Sequence, residues 1–528
     1  MSRMLKSAGA MGIATFLSRI LGLVREMVYT SFMGAGAEAG AFRLALMLPN
    51  LFRRLLGEGA LTAAFIPIFK DKEKNSTESE MWRSANAVIS GLVVVSCIIV
   101  GVVMLGLTAA IWMGNSGMTS IVRPNTEFML SLSRLMFPYL LFICMAAVFM
   151  GMLNARGHFF VPAMGSVLLN VVLIITVLCV APFIGNNLRE HIYVLAGAVV
   201  IAGIVQAAYQ LPTLYREGFR LRWVSPWKDP TVTEVVRNMI PGMMGVAAFQ
   251  LNVVITQAIA WRTDNSIIAA FDAAVRLMEF PQGIFGISLA TYLLPTLSGF
   301  ASEKKYSEFR STLTQGVGYL FLINLLAAML LLVLAEPMVR LLFERGKFTA
   351  MDTYRSGIAL ACLAPGLIAF SLNNVTARAF YALGDTKTPM KISSVCLVLN
   401  IIFGVILIPT FQQGGMGVAN TLSGTFNVYL LIYALRRKLP KLTFKELLPQ
   451  LGQMLTCATL AGIVAWVTAW GCETCLGIAT LPARLTTVFL SILLATGVYF
   501  ALLRWLRVPQ AIEVLDSILE RYRRQAKS

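Results

Sequence analysis

The chain has 528 residues, of which 57% are hydrophobic and only 13% are charged. Soluble domains contain roughly 25% charged residues, so this composition excludes a soluble protein and predicts a polytopic membrane protein. The formal net charge is +18, but the cations lie mostly in short connections between apolar segments. Because no single basic domain is present, nucleic acid is not expected as a partner.

The apolar segments predict an all-α fold with fourteen transmembrane helices. Each segment is long enough for a helical span of about 20 residues, and none shows the alternation typical of barrel strands. In chain order, the predicted spans lie within residues 9–33, 39–69, 83–113, 126–153, 159–184, 191–214, 232–259, 266–298, 307–335, 354–382, 389–411, 415–435, 450–471 and 480–505.

The distribution of Lys and Arg predicts the orientation of these spans. Both residue types are concentrated at the N-terminus, in the connections after even-numbered spans and in the C-terminal tail. The positive-inside rule therefore places both termini in the cytoplasm. No small-residue cleavage site follows the first apolar segment closely, so we expect an uncleaved first span.

A pattern of prolines and glycines predicts that spans 1–6 are repeated as spans 7–12. One group recurs at an offset of 227 residues and a further proline at 228; the pairs are Pro138 and Pro365, Gly157 and Gly384, Pro162 and Pro389, and Pro67 and Pro295. We expect two six-helix lobes related by pseudo-twofold symmetry about the membrane normal, with a cavity between them. The N-lobe covers residues 1–222 and the C-lobe residues 223–440; residues 441–528 add spans 13 and 14 and a basic cytoplasmic tail.

The second span carries an unusual group of charges beside helix breakers. A charge at the bilayer centre costs roughly 2.5 to 3.5 kcal/mol, so arginines there indicate an inward-facing anion site. The alternative is that these arginines snorkel from a short helix end. The charged residues are Arg43, Arg53, Arg54 and Glu58, and the breakers are Pro49, Gly57 and Gly59.

The first and eighth spans add further charges. The first holds Arg19, Arg25 and Glu26, and because Arg19 and Glu26 are seven residues apart they share a helix face, whereas Arg25 does not. The eighth holds a one-face stripe before Pro281, for which a self-compensated ion pair is the alternative interpretation; its members are Asp272, Arg276 and Glu279.

Across these three spans the arginines outnumber the carboxylates. Arginine binds phosphate through paired hydrogen bonds and stays charged when desolvated. An amphipathic anion with at least two phosphate-like charges is therefore the predicted cargo.

Other polar residues give weaker indications. Cys472 and Cys475 are placed in a loop, where free thiols, a local disulfide and a metal site all remain open. Asn252 and Asn400 indicate either a monovalent cation site or hydrogen bonds between helices. The chain has only two histidines, which excludes a multi-histidine metal site. Spans 13 and 14 lack mid-span charge and are candidates to hold a lipid tail.

Several motifs together resemble the MurJ/MviN lipid II flippases of the multidrug/oligosaccharidyl-lipid/polysaccharide exporter superfamily. They are SRILGLVRE, AFRLALMLPNLFRRLLGEGA, RLMEFPQGIFGISLATYLLPTLS, FERGKFT and ALGDTKTPMK. The resemblance covers essentially the whole chain. It implies export of lipid II, the undecaprenyl-diphosphate-linked peptidoglycan precursor, from the inner to the outer leaflet of the bacterial inner membrane by alternating access, in cell wall biogenesis.

The same resemblance implies roles for individual residues. Arg19, Arg25, Arg53 and Arg276 correspond to the family's substrate-binding cavity arginines; Arg54, Glu58 and Glu279 match motif positions, and Glu26 and Asp272 are expected to support the cavity or its gating. This chain departs from the family at Gly40, where an acid is common, and at Arg43 and Met47; Glu38 or Glu26 is a candidate substitute for that acid. We expect a monomeric transporter that contacts membrane lipids, is not an enzyme and has no cofactor, with coupling to membrane potential or a monovalent cation left open.

Two other functions are compatible with part of this pattern. A drug or oligosaccharide-lipid exporter of the same superfamily would share the fold and repeat, but a small cationic drug would not need the arginines. An integral-membrane enzyme acting on polyprenyl phosphates would need clustered aspartates or a histidine base, and the sequence contains no such cluster.

Overall fold

The computed structural model describes residues 2–56, 60–116, 124–445 and 447–516 of the chain. Every regular element within these residues is helical, which confirms the predicted all-α fold class. The contacts between Cα atoms divide the chain into a first unit, Met1–Gln257, and a second unit, Ala258–Ser528. The predicted lobe boundary at residues 222 and 223 precedes the helix in which this division falls, and the lobe assignment stays a prediction.

The first unit contains long apolar helices, several of them interrupted by proline or glycine. A π-helical segment, Thr176–Val180, continues the seventh helix, and a short 3₁₀ turn, Pro226–Lys228, precedes the ninth. The helices are α1 (Ser2–Met33), α2 (Ala37–Leu56), α3 (Ala60–Asn75), α4 (Glu78–Asn115), α5 (Pro124–Met136), α6 (Tyr139–Ala155), α7 (Phe160–Ile175), α8 (Leu188–Arg216) and α9 (Pro230–Thr263).

The second unit contains the helices that follow α9 and ends with two helices that lie outside the predicted repeat. A second π-helical segment, Gln282–Ile287, connects its first two helices just after Pro281. The helices are α10 (Ile267–Pro281), α11 (Ser288–Ser302), α12 (Tyr306–Val333), α13 (Ala335–Phe343), α14 (Ala350–Leu363), α15 (Gly366–Ala382), α16 (Lys387–Lys438), α17 (Leu447–Leu476) and α18 (Leu481–Trp505).

Among the described residues, eight helices are long and apolar enough to cross a membrane, and two bent helix pairs raise this number to ten. Predicted spans 1, 2 and 7 correspond to α1, to α2 with α3, and to α9. The helices are consistent with fourteen spans, and the exact number stays a prediction.

Helix α16 is a hairpin of two antiparallel spans. At Gln412 the backbone leaves helical geometry, with φ 50° and ψ −126°. Hydrogen bonds then join the two halves: Asn400 donates to Asn420 over 3.4 Å, and Ser423 donates to the Cys396 carbonyl over 2.7 Å. The two halves match the predicted spans 389–411 and 415–435.

The helix positions support the internal repeat. Helices α3 and α11 begin at Ala60 and Ser288, and α4 and α12 begin at Glu78 and Tyr306, both 228 residues apart. The breaks at Pro138 and Pro365 bend their helix pairs by 42° and 46°.

The repeated glycines close equivalent helix ends. Gly157 and Gly384 follow α6 and α15 with φ of +85° and +74°. The next amide in each case donates back to a helix carbonyl, from His158 to Leu153 and from Asp385 to Phe380. This left-handed C-terminal cap is the conformation that glycine adopts with least strain.

Each unit has its own apolar core. In the first unit α3, α4 and α6 pack around residues such as Phe65 and Phe149. In the second unit α17 and α18 pack on α12, and the Tyr499 hydroxyl donates to the Leu322 carbonyl over 2.8 Å. The two appended helices are therefore part of the second unit.

Candidate functional site

Helices α1 and α2 of the first unit are joined by a buried ion pair. The Arg43 guanidinium contacts the Glu26 carboxylate, and the two side chains are only 9% and 3% exposed. One turn away, the rings of Tyr29 and Phe42 meet edge to face with centroids 5.7 Å apart. Gly34, with φ +69°, lets the chain reverse between the two helices. The pair is thus built where two neighbouring spans fold back on each other.

Arg25 is held by a residue that the sequence did not single out. Its Nη1 donates to Oδ1 of Asn170 in α7 over 3.0 Å, and its guanidinium lies 5.6 Å from the Tyr29 ring centroid. The Asn170 amide nitrogen in turn donates to the Ser18 carbonyl over 3.3 Å. Because the partner of Arg25 is neutral, its positive charge is oriented without being neutralised by this contact.

Arg53 and Arg54 lie in the last turn of α2. The Arg53 Nε donates to Oδ1 of Asn50 over 3.0 Å, and Arg53 is half-buried whereas Arg54 is exposed. Cations are stabilised at a helix C-terminus by the unpaired carbonyl groups. The predicted residue Glu58 and its neighbours Gly57 and Gly59 lie outside the described residues.

The side chains of Arg19 and Glu26 occupy different surroundings in α1. Arg19 is exposed, whereas Glu26 is 2% exposed and pairs with Arg43. The shared face predicted from their spacing therefore does not make them partners. The structure brings Arg25, Glu26 and Arg43 together around the α1–α2 turn.

In the second unit, Arg276 and Glu279 form an ion pair, which was the alternative interpretation of their spacing in the sequence. Nη1 of Arg276 lies 2.8 Å from Oε2 of Glu279, and both side chains are exposed, at 43% and 50%. Asp272, one turn earlier on α10, is half-buried. The pair is intrahelical and solvent-accessible, so its attraction is modest and open to competition by another anion.

The two candidate substitutes for an acid at position 40 have different partners. Glu38 lies 3.7 Å from Arg189 of α8, whereas Glu26 contacts Arg43, three residues after the buried Gly40. Glu26 is therefore the acid that faces this part of α2.

Other sequence expectations are resolved within the described residues. The loop prediction for Cys472 and Cys475 is wrong, because both lie in the last turn of α17, and both are free thiols. The described residues contain no group of three or more His, Cys, Asp and Glu placed to hold a metal ion. Asn400 bonds across the α16 hairpin, in line with the helix-joining alternative. The end of the basic tail, residues 517–528, lies outside the described residues.

The fold is that of membrane transporters of the multidrug and lipid exporter type. A multidrug resistance MATE family transporter of the MOP superfamily, solved in an inward-facing conformation, superposes with a TM-score of 0.64 over 80% of this chain and 95% of its own, at 15% identity. A solved lipid II flippase MurJ superposes with a TM-score of 0.74 over 93% of this chain and 98% of its own, at 21% identity.

Sequence comparison identifies the family within this class. The family described as lipid II flippase MurJ matches residues 29–487. Probable lipid II flippases MurJ of Vibrio cholerae and Haemophilus influenzae are 33% and 34% identical, over 94% and 80% of this chain and 97% and 84% of their own lengths. The chain belongs to the lipid II flippase MurJ family, and the predicted family is confirmed.

Proposed function

We propose that this protein flips lipid II from the inner to the outer leaflet of the bacterial inner membrane, for cell wall biogenesis. The observation that carries the proposal is family membership over most of the chain, together with relatives that are themselves named lipid II flippases. The charge in the first unit agrees with such a cargo, because the diphosphate of lipid II is an anion attached to a polyprenyl tail. Drug export is less well supported, since a cationic drug would be repelled by these arginines.

The proposed substrate-binding residues are Arg19, Arg25, Arg53 and Arg276. Arg25 and Arg53 are each oriented by an asparagine oxygen, at 3.0 Å in both cases. A neutral acceptor orients each side chain, and a guanidinium can donate two parallel hydrogen bonds to a phosphate. Supporting roles fall to Arg54, Glu58 and Glu279 and to Glu26 and Asp272.

The mechanism follows from the cost of moving an anion through lipid. Taking an unpaired charge out of water costs many kcal/mol, and arginines around the diphosphate reduce that cost. The lobes would alternately open to each side of the membrane while the tail stays in lipid. We propose a monomer with both termini in the cytoplasm, no catalytic activity and no resident cofactor. Each charge moved through a membrane potential is worth about 2.3 kcal/mol per 100 mV, and we propose the membrane potential or a monovalent cation gradient as the source of energy.

Complementation of a flippase-depleted strain tests the site. Arg53→Ala and Arg276→Ala should abolish growth at normal protein levels, whereas Arg83→Ala, which changes an exposed arginine near the start of α4, should grow. Full growth of both cavity variants would exclude the assignment. A proteoliposome assay with labelled lipid II and a cationic dye tests the cargo: export of the dye alone would exclude the proposed function.

A further inference from the structure

The segment 220–228 connects α8 to α9 within the first unit and displays two tryptophans. Apart from the 3₁₀ turn Pro226–Lys228 it has no regular structure. Trp223 is 68% exposed and Trp227 is 80% exposed. Two such large apolar side chains on one short connection call for an environment other than water.

The 220–228 segment is fixed to α4 by polar contacts. The buried side chain of Asn86 donates to the Arg220 carbonyl over 2.9 Å and accepts from the Arg222 amide over 3.0 Å. Two residues further on, the Val224 amide donates to Oγ of Ser90 over 3.2 Å. The exposure of the tryptophans is therefore set by a defined backbone path.

Close packing continues at the next contact along α4. A Cβ atom added to Gly91 would lie 3.2 Å from Cβ of Pro226, so the glycine permits the approach of the 3₁₀ turn. The contacts at Asn86, Ser90 and Gly91 follow one another along the helix, which shows that the segment runs beside α4.

The position along α4 places this segment at a membrane boundary. From Gly91 to the exposed Trp112, α4 rises by about 32 Å at 1.5 Å per residue, close to the thickness of the hydrocarbon layer. The residues between them display an exposed apolar face that includes Val95, Ile98, Val102 and Leu105. Tryptophan is typical of both boundaries of the bilayer. The predicted orientation makes the boundary at the 220–228 segment the cytoplasmic one.

The charge around this segment is positive. Arg216, Arg222 and Lys228 are exposed and make no ion pair with any side chain in the described part of the chain. The nearby acids are engaged elsewhere: Glu217 pairs with His158 at 2.9 Å, and the Asp229 carboxylate accepts the Thr231 amide at the start of α9. An anion at the headgroup level would be attracted here without displacing an internal partner.

We propose that the 220–228 segment is a binding site for the headgroup of an anionic phospholipid in the cytoplasmic leaflet. Arg222 and Lys228 would bind the phosphate, while Trp223 and Trp227 lie against the glycerol and upper acyl chains. The site is separate from the candidate anion site of α1, α2 and α7, and the inference does not depend on the proposed function.

Photocrosslinking in nanodiscs tests this proposal locally. The photoreactive residue p-benzoylphenylalanine replaces Trp227 in the full chain, and the nanodiscs contain equal amounts of phosphatidylglycerol and phosphatidylcholine and no lipid II. Mass spectrometry of the peptide counts the two adducts. We expect phosphatidylglycerol adducts to exceed phosphatidylcholine adducts at least fivefold, the ratio that one surface cation gives at about 1 kcal/mol. Arg222→Gln with Lys228→Gln should bring the ratio near one, and Arg222→Lys should keep it.

Two controls separate the possible outcomes. Lys304→Gln with Lys347→Gln removes two exposed cations of the second unit and should leave the ratio unchanged. Raising the salt should lower the ratio in the unsubstituted background, which gives a test even if the double variant fails to fold. Three outcomes would each overturn the proposal: equal adducts of both lipids, an adduct ratio that responds neither to the charges of Arg222 and Lys228 nor to salt, or adducts with protein alone.

Discussion

The Arg43 guanidinium is paired with the Glu26 carboxylate inside the first unit, where both side chains are nearly inaccessible to solvent. Arg43 is one of the positions at which the motif resemblance predicts a departure from the family pattern. Its pairing with Glu26 leaves the adjacent Arg25 to a neutral partner, Asn170. The pair therefore holds α1 against α2. It compensates the charge of Arg43, whereas the contact of Arg25 with Asn170 does not compensate the charge of Arg25.

Breaking this pair should strongly destabilise the protein. Arg43→Ala leaves the Glu26 carboxylate in a buried position, and removal of one partner of a buried pair costs about 3 to 5 kcal/mol. Thermal unfolding of the detergent-purified Arg43→Ala variant should show a clearly lower melting temperature than that of the unsubstituted protein. Arg54→Ala, which truncates an exposed arginine of the same helix, should cost less than about 1 kcal/mol. The double variant Arg43→Met with Glu26→Gln should recover most of the stability; an equally unstable double variant would mean that the pair is not the cause.

The contact between Arg25 and Asn170 predicts graded effects on lipid II affinity. Asn170→Ala removes an acceptor that orients Arg25, and we expect about tenfold weaker binding, since a hydrogen bond to a charged group is worth about 1.5 to 3 kcal/mol. Asn170→Asp, almost identical in shape, should weaken binding further because its carboxylate would neutralise Arg25.

Native mass spectrometry with purified lipid II measures both affinities. Asn427→Asp, which changes an equally buried amide hydrogen-bonded to Ser393 in the second unit, serves as the control and should leave the affinity unchanged. Tighter binding by Asn170→Asp would contradict a role for Arg25 in holding an anion.

The two repeat-related glycines should respond alike to substitution. Gly157 and Gly384 have positive φ and open space at the Cβ position, so alanine adds backbone strain without a clash. Each change to alanine should cost about 1 to 2 kcal/mol in stability. Gly106→Ala in α4 also meets open space but has helical geometry, and should stabilise the helix by up to about 1 kcal/mol. Chemical denaturation in mixed micelles gives the comparison, and equal effects at all three glycines would rule out the conformational explanation.

The loop before the α16 hairpin predicts a pH dependence. Burial acts to raise the pKa of the Asp385 carboxyl, but hydrogen bonds from Lys438 and Thr388 outweigh it and hold the pKa well below its usual 3.8. Because the pKa is lower in the folded state, the stabilisation is present above about pH 4 and is lost as the pH falls below that value. Asp385→Asn should therefore destabilise the protein at pH 7 and have a clearly smaller effect near pH 2. A constant difference between the two proteins across this range would show that ionisation of Asp385 is not involved.

Hydrophobic pattern and breakers in the sequence were enough to predict the helical scaffold. The offset between Pro138 and Pro365 predicted an internal repeat, and the structure has a bent helix pair at each of these prolines and a matching left-handed cap at the glycine that follows each pair. These features are local, because a proline or glycine changes the backbone wherever it stands. The turn of α16 at Gln412 also falls between two apolar segments assigned to separate spans.

Partners of the charged residues were not predictable in the same way. Arg43 meets Glu26 because α2 folds back on α1 with a particular rotation, and the 145 residues between Arg25 and Asn170 are bridged only by packing of α7 on α1. At Cys472 the apolar segment ends before the helix does, since the first breaker is Gly477, with φ +72°. Hydropathy indicates where the apolar segment ends. The helix itself continues until the next residue that interrupts its backbone hydrogen bonds.

The constant offset between the units also bears on how the protein evolved. The positions that correspond to Arg25 and Asn170 in the second copy of the predicted repeat, 228 and 227 residues further along, are Val253 and Leu397. Duplication of an ancestral gene would at first have given both copies the same residues, either the polar contact or its apolar counterpart. The present chain has the polar version in the first copy and the apolar version in the second, so this contact is confined to one copy of the predicted repeat. Two copies of one helical pattern therefore need not carry the same buried charges.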